Sequence, residues 1–144
     1  MLTDSADPMD IRVLLIVHNE NTMKQYLNIL KTYNIQVFVT SSFLDLSTEI
    51  CRQTYHGILV DLPTKMAAIR ENRDYVYGLI QNFPVLQLRI NEKTGELAGF
   101  YCSHPSIHNL TDFIEVGCRN FVPRAIRTDE RKAIHLNIRL YKHK

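Results

Sequence analysis

The chain reads as a single α/β domain built as a three-layer, doubly wound sheet, and three observations predict it. Unbroken apolar runs, VLLIV within residues 12–17 and GILV within 55–61, lack polar alternation and suit strands covered on both faces. Between such runs stand segments whose apolar residues recur at helical spacing. The resulting β-α-β-α-β-α-β order closes, through right-handed crossovers, into a mainly parallel sheet.

Taken in order, residues 1–10 are expected to form a flexible lead, and RVLLIV at 12–17 gives the first strand. After a loop at 18–21, Met23, Tyr26, Leu27, Leu30 and Tyr33 sketch an amphipathic helix that ends near Asn34. IQVFV at 35–39, β-branched and aromatic, is the second strand. Ser41 or Ser42 caps a second helix with Phe43, Leu46 and Ile50 inward, ending near Thr54. The central strand, YHGILVD, ends on Asp61. Pro63-Thr64 opens a third helix, to about Asn82, with the stripe Met66, Ile69, Val76, Leu79 and Ile80 inward and Arg70, Glu71, Arg73 and Asp74 in solvent. Pro84 introduces VLQLRI at 85–90 as the fourth strand. NEKTG at 91–95 is a turn signal, so ELAGFY at 96–101 is expected as an extra hairpin strand beside it. Ile107, Leu110, Phe113, Ile114 and Gly117 place a last helix on the core, and NFV at 120–122 is a short closing strand with no regular helix after it.

Composition bounds the function. A chain of 144 residues, 45% hydrophobic and 22% charged, holds one core and hardly two. No stretch approaches the roughly 20 apolar residues of a membrane span, and the start MLTDSADPMD lacks the apolar region of a signal peptide, so the expectation is a cytoplasmic protein without membrane insertion. Cys51, Cys102 and Cys118 are odd in number and lack C-x-x-C spacing, which reads as free, buried thiols. The net charge of +2 is divided: from Arg124 onward seven Lys/Arg face two Asp/Glu, and before it ten face thirteen. A basic tail at 125–144 therefore follows a faintly acidic domain, and such a tail is either a solvated linker or a contact for an anionic partner.

Asp61 closes the central strand, and in open α/β sheets ligand chemistry collects at strand carboxyl ends. A helix-capping role for it stays open beside a chemical one. The order of elements, the aspartate followed at two residues by Pro63, and the late run GCRNFVPR at 117–124 resemble the receiver domain of two-component response regulators, over about residues 11–124. The resemblance implies a flavodoxin-like sheet of five strands in the order 2-1-3-4-5. It also implies a pocket in which Asp61 stands where a phospho-acceptor stands, while His18, Asn19 and Glu20 occupy the family's Mg²⁺-binding stretch. Arg89 replaces the family's Ser/Thr and Arg124 its Lys. Neutral His18 and Asn19 leave the site poor in the hard anionic ligands that Mg²⁺ needs, and Arg89 or Arg124 would hold Asp61 ionised instead. The expected protein is thus a degenerate receiver without catalytic residues or a bound metal, the alternative being a genuine phospho-acceptor at Asp61.

The tail carries Arg127-x-x-x-Arg131 and then His135, with Ile134, Leu136, Ile138 and Leu140 alternating as a half-buried strand. This resembles the start of a PilZ domain, the bacterial module that binds cyclic di-GMP, and implies that Arg127, Arg131 and His135 contribute to that ligand's site when the whole domain is present. The expectation is a piece of a longer bacterial signal-transduction protein, cut inside its output domain, that regulates or positions that domain, or a protein partner, by contact. A homodimer is a further expectation and nucleic acid is not. Cys102, His104 and His108 make a weak metal set, and no Gly-rich phosphate loop or G-x-S-x-G serine is present, so no cofactor is expected for this segment.

Overall fold

The computed structural model describes residues 11–43, 50, 54–102 and 106–121. Strands β1 (Arg12–Ile16), β2 (Gln36–Thr40), β3 (Gly57–Asp61), β4 (Val85–Ile90) and β5 (Leu97–Tyr101) make one sheet in the order β2-β1-β3-β4-β5. The first four run parallel and β5 is antiparallel to β4. Helix α1 (Glu20–Leu30) follows β1, and α2 (Leu62–Ile80) follows β3. A single turn, α3 (Leu110–Asp112), continues directly into a π-helical turn at Phe113–Cys118. This is the three-layer, flavodoxin-like architecture that the alternation of elements predicts.

The layers follow from strand parity. Val13, Leu15, Leu59, Leu86 and Leu88 face Tyr26 and Leu30 of α1 and Phe113 and Ile114 of the last turn. Their neighbours Leu14, Ile16, Ile58 and Val60 face Tyr75, Val76 and Ile80 of α2, together with Phe43 and Ile50. Every residue of β3 is buried, as an unalternating central strand must be. Gly57 opens that strand because nothing larger fits: an added Cβ would stand 2.6 Å from Cys118 Sγ and 2.8 Å from Phe113 Cζ.

Three expectations need correction. The fifth position of the sheet belongs to the hairpin strand, and the expected closing strand is not formed by Asn120 and Phe121. Asn91 Oδ1 accepts from the amides of Lys93 and Thr94, and Gly95 takes a left-handed φ of 73°, so the tight turn lays β5 on the edge of β4 where a closing strand would pair. Asn120 and Phe121 form no strand, and Val122 lies outside the described residues. Helix α2 does not present one continuous stripe, because Asn72 leaves helical geometry (φ −157°, ψ 95°) and its side chain caps a second segment by accepting from Tyr75 N. The break resets the phase, and Met66, expected inward, is 48% exposed. Helix α1 begins before Thr22 because Asn19 caps it, its Oδ1 accepting from Thr22 N at 2.9 Å. The expected lead at 1–10, most of the second helix and the tail lie outside the described residues.

The contact under Gly57 gives a direct check. Gly57→Ala is expected to cost about 1–3 kcal/mol in urea unfolding through overpacking. Gly78→Ala, in helix α2 with nothing within 4 Å of the added carbon, is expected to gain about 0.5–1 kcal/mol.

Candidate functional site

Asp61 ends β3 and at the same time caps α2, which begins at the next residue with Pro63 in its first turn. Its two carboxylate oxygens are both taken. Oδ1 accepts from the Tyr26 hydroxyl at 2.7 Å, and Oδ2 accepts from the Thr64 hydroxyl at 2.7 Å and the Thr64 amide at 3.2 Å. The Thr64 hydroxyl in turn accepts from the His18 amide at 2.9 Å. One aspartate thus ties the ends of β1 and β3, the face of α1 and the start of α2 into a single network. Asp61 itself is 2% exposed.

The carboxyl edge beside Asp61 opens into a cleft of about 400 Å³, reached by His18 and Asn19 from the loop after β1. Its deeper wall is Phe43 and Tyr75, buried and joined by a hydrogen bond from the Tyr75 hydroxyl to the Phe43 carbonyl at 3.3 Å. The exposed Ala67 and the half-buried Ala68, early in α2, are too small to fill the space.

Of the receiver-like set, the structure brings together His18, Asn19 and Asp61. It does not bring Glu20, which lies exposed in the first turn of α1 and does not line the cleft. Nor does it bring Arg89. In the β3–β4 register Asp61 is opposite Leu88, so strand alternation turns Arg89 to the other face, where it is exposed. The expected Asp61–Arg89 pair is therefore absent, and tyrosine and threonine donors stand in its stead. Asn19 is engaged as the cap of α1. Arg124, Arg127, Arg131, His135 and His104 lie outside the described residues. Among the described residues no group of three His, Cys, Asp or Glu side chains could hold a metal ion, and no helix is long and apolar enough to cross a membrane.

Two partners of Asp61 escaped sequence reasoning. Tyr26 scores as an apolar position at helical spacing, which places its ring but not its hydroxyl. Thr64 is legible as the third residue after a potential Asp cap, the position whose amide a cap accepts. Burial first, and then the hydrogen bond to Asp61 and the charge of Asp61, push the Tyr26 phenol well above its ordinary value of 10.0. Burial, and then Cys102, push the Cys118 thiol up to about 12, so this cysteine is packing and a poor nucleophile at neutral pH.

Comparisons with protein-family models, with curated proteins and with solved structures give no match. The likeness to receiver and PilZ domains accordingly rests on sequence pattern.

The Tyr26 shift fixes a sign. A phenol that ionises less readily in the folded chain contributes stability that is whole below its unfolded value and is lost as the pH rises past it. In urea unfolding, the advantage of the wild type over Tyr26→Phe is expected to be constant up to about pH 9 and to shrink above about pH 10 by roughly 1.4 kcal/mol per unit. Cys118, shifted in the same direction, is common to both proteins and cancels from the difference.

Proposed function

We propose that this chain is a non-enzymatic signalling module, a degenerate receiver-like domain that works through protein contact. The observation that carries the reading is the closure of Asp61, whose two oxygens are held by Tyr26 and Thr64 with 2% of the residue exposed. Phosphoryl transfer to a carboxylate requires an oxygen with open in-line approach and a cation to neutralise the incoming charge. Both oxygens of Asp61 are hydrogen-bonded, and among the described residues lining its cleft there is no lysine or arginine. The aspartate that would be a nucleophile is here a helix cap.

Exposed apolar side chains support the contact role. Tyr77, Tyr101 and Val116 are each at least 40% exposed and border a second groove of about 720 Å³. The β4–β5 hairpin takes the place of a helical crossover, so among the described residues no crossover helix covers this part of the sheet. The partner we favour is the output domain whose start resembles a PilZ domain, with Arg127, Arg131 and His135 serving cyclic di-GMP once that domain is complete; another protein, including a second copy, is the remaining partner class.

The test is exposure to Mg²⁺ and beryllofluoride, a phosphoryl mimic, followed by thermal unfolding. The proposal predicts no saturable change in midpoint for the wild type or for Asp61→Asn, which retains a capping side chain. A saturable rise in the wild type that disappears in Asp61→Asn would establish the phospho-acceptor instead.

A further inference from the structure

The cleft beside Asp61 is the feature that the contact role leaves unused. It lies at the carboxyl edge between β1 and β3, the two neighbouring strands from which the chain departs to opposite faces, to α1 on one side and α2 on the other. Such a switch point is where open α/β sheets take up ligands. Its volume of about 400 Å³ suits a small molecule. The aromatic wall is fixed in advance by the Tyr75–Phe43 hydrogen bond, and Ala67 leaves an opening above it.

Among the described residues, the charge around this space is one-sided. Carboxylates of Asp61 and Glu92 line it, and among the described residues no lysine or arginine does. The three donors on Asp61, the Tyr26 hydroxyl and the Thr64 hydroxyl and amide, are neutral, so they hold the carboxylate without cancelling its charge. An anion entering here meets repulsion in a partly desolvated site, whereas a cation is attracted. A flat apolar body has Phe43 and Tyr75 to lie against.

We propose that this cleft binds a small organic cation with a flat apolar body, its charged end at Glu92 in the field of the buried Asp61 and its body against Phe43 and Tyr75. The site requires no phosphorylation of Asp61 and does not rest on the contact role.

Benzamidinium, neutral benzamide and anionic benzoate are matched probes of one shape and three charges. In amide chemical-shift titrations of the whole chain, benzamidinium is expected to give saturable shifts centred on Thr22, Ala67 and Ala68. Benzamide is expected to bind about tenfold more weakly, and benzoate to give no saturable shift there. Glu92→Gln is expected to weaken benzamidinium about threefold, as loss of an exposed charge does. Ala67→Tyr fills the opening from an exposed position, so it is expected to abolish binding while the thermal midpoint holds. Benzoate binding as tightly as benzamidinium, no saturable benzamidinium shift at all, or undiminished binding in both variants would overturn the proposal.

Discussion

The hydrogen bonds converging on Asp61 are the constraint on which this end of the molecule depends. A buried carboxylate is tolerated only when its lone pairs are satisfied, and here three donors satisfy it. Each donor comes with an obligation. Tyr26 must turn its hydroxyl inward from α1, Thr64 must stand in the first turn of α2, and the His18 amide must reach the Thr64 hydroxyl. The loop after β1, the end of β3 and two helices on opposite faces of the sheet therefore share one polar centre in an otherwise apolar core.

On the proposed reading, the same closure that stabilises the edge withdraws the aspartate from chemistry. A carboxylate whose oxygens are committed to neutral donors has little nucleophilic freedom, and no lysine or arginine among the described cleft residues would draw a phosphoryl group toward it. What remains at the edge is shape and sign: an apolar cleft with negative charge around it. Among the described residues the hairpin leaves β4 and β5 without a covering crossover helix, and Tyr101 is exposed beside the second groove. Binding, at one or both places, is the mode of action we propose from these features.

Much of the fold was legible in the sequence because burial on two faces leaves a simple record. RVLLIV, YHGILVD and VLQLRI give three strands with bounds within two residues, and NEKTG marks a turn whose Asn and Gly do the work expected of them. The fifth strand was harder, since ELAGFY and NFV compete for one edge and only the short connection of the first decides it. The phase of α2 was hidden by Asn72, an ordinary polar residue until its side chain is seen capping Tyr75 N. At the site, the position of Asp61 was readable but its company was not. Arg89 fails to reach it through a parity that depends on the β3–β4 register, which a sequence does not print. Tyr26 succeeds because periodicity brings its ring to the core and the ring then carries a hydroxyl there.

The central claim is that Tyr26 and Asp61 act as one structural unit, and a double-mutant cycle of Tyr26→Phe and Asp61→Asn in urea unfolding tests it most directly. The account predicts a coupling of about 1–3 kcal/mol, the range for a hydrogen bond to a charged group. Additive effects, agreeing within about 0.5 kcal/mol, would contradict it.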